Sequence, residues 1–156
     1  MKIMFVCHGN ICRSPMAEII FKDLLKKSGL EGVHFCASSA TSDEEIGFDG
    51  VGNSVYPKAR KTLLSHGLDP EGKRAVQLKR SDYEHYDLFV GMDAQNIRNM
   101  LRIFGSDPDG KVIKLNESDV FDPWYSGDFE TAYNEIYEGV ARLFERLTSR
   151  GENDEK

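Results

Sequence analysis

Eight residues near the start of the chain, Cys7-His8-Gly9-Asn10-Ile11-Cys12-Arg13-Ser14, gather two thiols, a guanidinium and a hydroxyl in one short stretch. Such a set serves a metal site, a disulfide, a redox pair or an anion cradle. Four residues separate Cys7 from Cys12, and no second Cys or His pair of ligand spacing follows, which weighs against a metal. A thioredoxin-like pair needs C-x-x-C and a nucleotide loop needs G-x-x-x-x-G-K-[ST]; neither pattern occurs.

An anion cradle uses more of these residues. A loop between a strand and a helix N-terminus turns successive backbone N–H groups inward, and the helix dipole adds to the positive field. Gly9 and Asn10 tolerate the left-handed backbone that a tight cradle asks for. Arg13 offers a planar fork that matches two phosphate oxygens. A thiol at the bottom of that field is stabilised as thiolate, its pKa falling from about 8.5 to roughly 3.5–7.5. Cys7 is then a nucleophile at neutral pH, and Ser14 can donate a hydrogen bond to its sulfur. The expected phosphate-binding loop is His8, Gly9, Asn10, Ile11, Cys12, Arg13 and Ser14.

A strand and a helix must carry this loop, and the flanking patterns supply both. Residues 2–7 read as a buried strand. Ser14-Pro15 reads as a helix start, continued by Met16, Ile19, Ile20 and Leu24 until Ser28-Gly29. Further strands are expected at 33–37, 87–92 and 111–115. Helices are expected over 56–66, from Asp93 as N-cap to Gly105, and over 128–150, with loops at 41–54 and 116–127. The alternation predicts one three-layer α/β domain over residues 1–150, a four-stranded parallel sheet with helices on both faces, then a frayed acidic tail at 151–156. In such sheets ligands bind beyond the carboxyl ends of the strands, where the eight residues lie.

Bulk properties narrow the function classes. A chain of 156 residues with 40% hydrophobic and 29% charged residues is long enough to bury one core. Its net charge of −6 offers no basic field to nucleic acid or anionic membrane. The apolar run at 3–7 is five residues, too short for a signal peptide or a spanning helix. Three cysteines, an odd number without an export signal, point to free thiols in a reducing cytoplasm.

Cys-x5-Arg-Ser directly after the first strand resembles the low-molecular-weight protein tyrosine phosphatases. The resemblance is not confined to the loop: "FVCHGNICRSPMAE", "SSATSDEEIG", "GMDAQN" and "DPWYSGDFETAY" resemble successive family segments, spanning nearly all of residues 2–148. It implies a flavodoxin-like sheet of order 2-1-3-4 and a metal-independent, cofactor-free hydrolysis of phosphotyrosine and small aryl phosphates through phosphocysteine. The catalytic set it implies is Cys7, Arg13 and Asp122. Phenolate is a moderately poor leaving group, so a proton donor helps, and by resemblance Asp122 is that acid and later the base for water. Pro123 stiffens its approach. Of Trp124 and Tyr125, adjacent aromatics in a polar loop, at least one is read as a wall for a flat aryl ester; the other use of Trp124 is packing on the helix that follows. The substrate is expected to be a phosphotyrosine protein or peptide, and the chain a monomer or weak dimer. Cys12 is either a small buried hydrophobe or, as in the family, a redox partner that captures oxidised Cys7. Cys36 reads as core.

The chain departs from the family pattern at three points. His8 stands where many members carry Leu: either a cation beside the loop or a solvent-facing residue. Glu44 and Glu45 occupy a region where the family often has an aromatic pocket wall, with Phe48 as a neighbouring substitute; an acidic rim favours substrates with basic neighbours. A histidine that commonly braces the cradle through Asn10 and Ser38 is missing, and Lys73 lies nearby. Rival activities on this scaffold are arginine dephosphorylation, whose enzymes carry Thr where this chain has Ile11, and arsenate reduction, which needs cysteines beyond Cys36 that are absent. A catalytically dead phosphopeptide-binding module would lack Cys7, Arg13 or Asp122, and all three are present.

Overall fold

In the computed structural model, which describes residues 1–154, the hexapeptide Lys2–Cys7, apolar after its lysine, forms β1, an inner strand of a parallel sheet. Its side chains alternate between faces, as a strand buried on both sides requires. Ile3, Phe5 and Cys7 enter one core, while Met4 and Val6 enter the other. The helix α1 (Arg13–Lys27) and the long α5 (Phe129–Asp154) cover the first face, with α2 (Pro57–Ser65) beside them. On the opposite face, α3 (Ala94–Phe104) buries Met100 and Phe104 against Phe89 of β3 (Leu88–Gly91). With β2 (Phe35–Ala40) and β4 (Val112–Lys114) the order is β2-β1-β3-β4, every pair parallel, as expected.

Three local expectations differ from the structure. β2 was expected at 33–37, but Val33 lies in an exposed turn and the strand runs on through Ser38 and Ser39, in register with β1 as far as Cys7↔Ala40. The two serines broke the apolar pattern, although both are buried and Ser38 is hydrogen-bonded on both sides. The loop expected at 116–127 contains a one-turn helix, α4 (Pro123–Ser126), capped by Asp122 and ended by Gly127 at φ 75°. A 3₁₀ turn at Arg80–Glu84 had no periodic signal. Of the tail expected at 151–156, the backbone continues α5 through Asp154, and residues 155–156 lie outside the described residues. No helix of the described residues is long and apolar enough to cross a membrane.

The loop after β2 is pinned to the segment at 73–77, which in turn bonds to the loop after β1 through Val76 and Asn10. Asn53 O accepts the Ala75 amide, and Gly52 crosses the same residue so closely that a Cβ would lie 1.9 Å from Ala75 O. Substitution Gly52→Ala must push two backbones apart and is expected to lower stability by about 1–3 kcal/mol, read as a reduced urea midpoint with unchanged slope.

Candidate active site

Cys7 ends β1 at the carboxyl edge of the sheet, and its sulfur is the focus of three groups. Ser14 Oγ lies 2.9 Å away, the Asn10 amide donates at 3.3 Å and the Ser14 amide at 3.4 Å. The turn that wraps these amides around the sulfur needs one left-handed residue, and Asn10 supplies it at φ 58°. Gly9 was expected to share that duty but does not have a positive φ, and a Cβ there would meet Glu45 Cγ at 3.4 Å and Ile11 Cγ1 at 3.8 Å, both ordinary contacts. The carboxamide of Asn10 locks the turn: Oδ1 accepts the Val76 amide at 3.0 Å, while Nδ2 donates to Ser14 Oγ at 2.8 Å and Ser38 Oγ at 2.9 Å. That is the bracing for which no histidine was found. From outside the loop, the Tyr56 amide donates to Ile11 O at 2.8 Å.

The first turn of α1 has no side-chain cap and no acidic residue, unlike α3 and α4, which are capped by Asp93 and Asp122. Its positive end therefore faces the loop unneutralised, as an anion site requires. Arg13, 3% exposed, lies beneath this end with Nη1 on Asp93 Oδ2 at 2.6 Å and on Val120 O at 2.9 Å. Its Nη2 reaches Asp122 Oδ2 at 3.5 Å. Burial works against the guanidinium charge, but Cys7, Asp93 and Asp122 outweigh it and raise the pKa, so Arg13 is a fixed cation. Asp93 is a residue whose second role escaped sequence reasoning. Its Oδ1 caps α3 by accepting the Asn96 amide, as expected, while its Oδ2 aims Arg13. The available signal was its position at the carboxyl end of β3.

A cavity of about 160 Å³ opens over the sulfur. Cys7, His8, Gly9, Asn10, Ile11, Cys12 and Arg13 line its floor region, and Glu44, Glu45, Asp122, Trp124 and Tyr125 also line it. Ser14 lies buried behind Cys7. Tyr125 is largely exposed; Trp124, half-exposed, packs on Tyr56 at 4.9 Å between centroids, and Tyr56 stacks on Phe129 of α5. Trp124 thus lines the cavity and packs on Tyr56, meeting the following helix through that ring. Phe48 is not brought to the cavity: it is fully exposed on the turn between Ile46 and Gly52, and the wall on that side is Glu44 and Glu45. His8 turns its ring to Glu44, Nε2 to Oε2 at 3.0 Å, and its carbonyl accepts both the amide and the hydroxyl of Ser42. Among the described residues no group of three or more His, Cys, Asp or Glu is placed to hold a metal ion.

The chain matches the model of the low molecular weight phosphotyrosine protein phosphatases over residues 2–153. It belongs to that family. A curated relative, the low molecular weight protein-tyrosine-phosphatase YfkJ of Bacillus subtilis, is 36% identical over 148 residues, covering 90% of this chain and 92% of the relative. The crystal structure of YfkJ superposes with a TM-score of 0.89 over 96% of both chains at 32% identity. A second neighbour, the YwlE arginine phosphatase, has a TM-score of 0.81 at 26% identity, over 95% of this chain and 96% of its own. The family's fold is therefore present, and the two neighbours are named for different phosphorylated residues, tyrosine and arginine.

The three thiols are free and buried, yet only Cys7 has this set of donors on its sulfur. Burial, with the neighbouring Cys7 and Asp122, pushes the Cys12 thiol well up; burial and Glu18 push Cys36 up to about 12. A raised thiol pKa means the neutral form persists at and above pH 7, and the thiolate is the reactive species. Iodoacetamide at pH 7 is accordingly expected to add a single group, at Cys7, by peptide mass spectrometry, with Cys12 and Cys36 labelled only after denaturation.

Proposed function

We propose that this protein hydrolyses phosphotyrosine in proteins or peptides through a phosphocysteine intermediate. The observation that carries the proposal is the convergence of Ser14 Oγ and two backbone amides on Cys7 sulfur beneath a fixed Arg13 cation, with Asp122 at the same cavity. The phosphate is held by loop amides and Arg13. Cys7 thiolate attacks phosphorus; the bond from phosphorus to the tyrosyl oxygen breaks as Asp122 gives that oxygen its proton. Water then attacks phosphorus, its proton passes to the Asp122 carboxylate, and the sulfur–phosphorus bond breaks to release inorganic phosphate. Ser14, donating to the sulfur, eases that departure. No step needs a metal or cofactor. The neighbouring arginine phosphatase, in a Cys-to-Ser mutant, carries a phosphorylated active-site serine, which supports a covalent route on this scaffold.

Tyrosine is favoured over arginine by the lining. Trp124 and Tyr125 offer flat apolar faces to an aryl ring, and the branched Ile11 crowds a planar guanidinium. Glu44 and Glu45 make the mouth anionic over a cationic floor, which suits a phosphate whose peptide neighbours are basic and repels acidic ones.

Turnover of an aryl phosphate without added metal is the first measurement, with Cys7→Ser expected to abolish it. Asp122→Asn is expected to lower kcat at least about a hundredfold, most for poor leaving groups. Phosphoarginine turned over as well as phosphotyrosine would sink the tyrosine reading. Between phosphotyrosine peptides that differ only in flanking Arg or Glu, kcat/KM is expected to favour Arg about tenfold at low salt, the ratio falling as salt rises.

A further inference from the structure

One residue at the mouth of the cavity carries a titratable base where the rim is otherwise acidic. His8 follows Cys7 directly, and its half-exposed side chain lines the cavity. The ring meets Glu44, Nε2 lying 3.0 Å from Oε2. The backbone holds the two partners together. The His8 carbonyl accepts the Ser42 amide at 3.0 Å and the Ser42 hydroxyl at 2.9 Å, and the Cys7 carbonyl accepts the Thr41 amide at 3.0 Å, so the segment carrying Glu44 runs beside the loop. Glu45 is held differently: its carboxylate accepts from the neutral carboxamide of Asn53 at 2.7 Å. Among the described residues, no lysine or arginine is paired with either glutamate.

An exposed histidine–carboxylate pair adds little to stability; what it changes here is the number of charges at the mouth. A histidine changes charge within roughly pH 5–8. With a neutral imidazole, both Glu44 and Glu45 present a full negative charge. With an imidazolium, Glu44 is neutralised at contact and only Glu45 remains. The titratable and charged groups that share the cavity with the ring are Cys7, Cys12 and Arg13 of the loop and α1, Glu44 and Glu45 of the loop after β2, and Asp122 and Tyr125 of the loop after β4 and α4. The other three histidines lie elsewhere: His34 against the N-terminus, His66 against Glu130, and His85 after the 3₁₀ turn. A cavity mouth concentrates the field of the charges around it, so a change of one charge is felt by whatever enters.

We propose that His8 is a specificity-determining residue: its protonation sets the negative charge of the mouth, and with it the preference for phosphopeptides whose neighbouring residues are basic. This rests on the anionic mouth and the phosphotyrosine substrate proposed above. As pH rises through the titration of His8 the mouth gains a negative charge, which draws in a peptide with Arg neighbours and repels one with Glu. The charge of His8 also acts on the phosphate itself, but that effect is common to all peptides and cancels in a ratio between them.

The test uses two phosphotyrosine peptides that differ only in flanking Arg or Glu. Their Arg-over-Glu ratio is read as kcat/KM in the wild type and as affinity by fluorescence anisotropy in Cys7→Ala, at pH 5.5, 6.5 and 7.5 in low salt. The titrations of the phosphate, Cys7 and Asp122 are shared by both peptides and divide out, and the flanking residues keep their charges throughout that range. The ratio is expected to rise about threefold from pH 5.5 to pH 7.5. His8→Gln keeps a polar group opposite Glu44 but does not titrate, and is expected to hold the ratio high at every pH. His8→Lys, a permanent cation, is expected to hold it low. A wild-type ratio above one that does not move with pH overturns the proposal, and so does an equal rise in His8→Gln. A ratio near one at every pH in all three forms removes the anionic mouth and the proposal together. The expected pattern in affinity without turnover of either peptide would uphold the proposal while removing the phosphatase reading.

Discussion

The geometry of the site follows from one constraint: a sulfur at the end of a buried strand must be met by donors that the surrounding fold holds still. Cys7 is only 3% exposed, so water does little of this, and the chain turns back on itself to supply two amides and a hydroxyl. The turn costs one left-handed residue. Asn10 meets that cost with a side chain that bonds locally, and its four-way bonding to Cys7, Ser14, Ser38 and Val76 joins the loop to β2 and to the segment beyond α2. The register of β1 with β2 matters for the same reason. Pairing Phe5 with Ser38 sets that hydroxyl two residues below the level of Cys7, within reach of both Asn10 and Glu18.

Arg13 obeys a second version of the same rule. A guanidinium this buried would be expensive alone, but Asp93 at the end of β3, Val120 O and Asp122 before α4 converge on it from separate parts of the chain. The carboxyl-side loops after β3 and β4 therefore meet on a single cation carried by the loop after β1. The sheet order 2-1-3-4 makes this possible because β1 and β3 are neighbours, placing Cys7 and Asp93 on the same edge.

What was legible in the sequence was local or strongly patterned. The apolar run of β1, the helix start at Ser14-Pro15, which the structure places one residue earlier at Arg13, and the Asp93 cap all follow short-range rules, and the site loop lies between the first two. β2 was misplaced because the rule that strands are apolar fails where a strand carries buried hydroxyls; Ser38 is buried with its hydroxyl bonded to Asn10 and Glu18, and Ser39 is buried with no partner for its own. Glu18 escaped notice because an acid on a helix reads as solvated, and only the partnership of Ser38, Lys22 and Lys73, distant in the chain except for Lys22, accounts for its burial. Phe48 failed in the opposite way: aromatic character suggested a wall, yet the tight turn between Ile46 and Gly52 carries the ring out to solvent. Gly9 shows that a permissive residue need not use its freedom.

The least predictable residue, His8, gains its sense from what lies across the cavity mouth. Its carbonyl holds Ser42 and its ring holds Glu44, so the segment bearing the two rim glutamates is fastened directly to the nucleophile loop. Glu45 is fixed separately, its side chain accepting from Asn53 Nδ2 at 2.7 Å. A leucine in place of His8 would keep the backbone bond but release Glu44, freeing that carboxylate to swing into solvent. The cation at the floor and the anions at the mouth are thus set by different devices: Arg13 by burial among carboxyl-edge loops, Glu44 by its contact with His8 and Glu45 by Asn53. The rim carboxylates bond to neither Cys7 nor Arg13, so the charge of the mouth can change while the contacts of those two residues stay as they are.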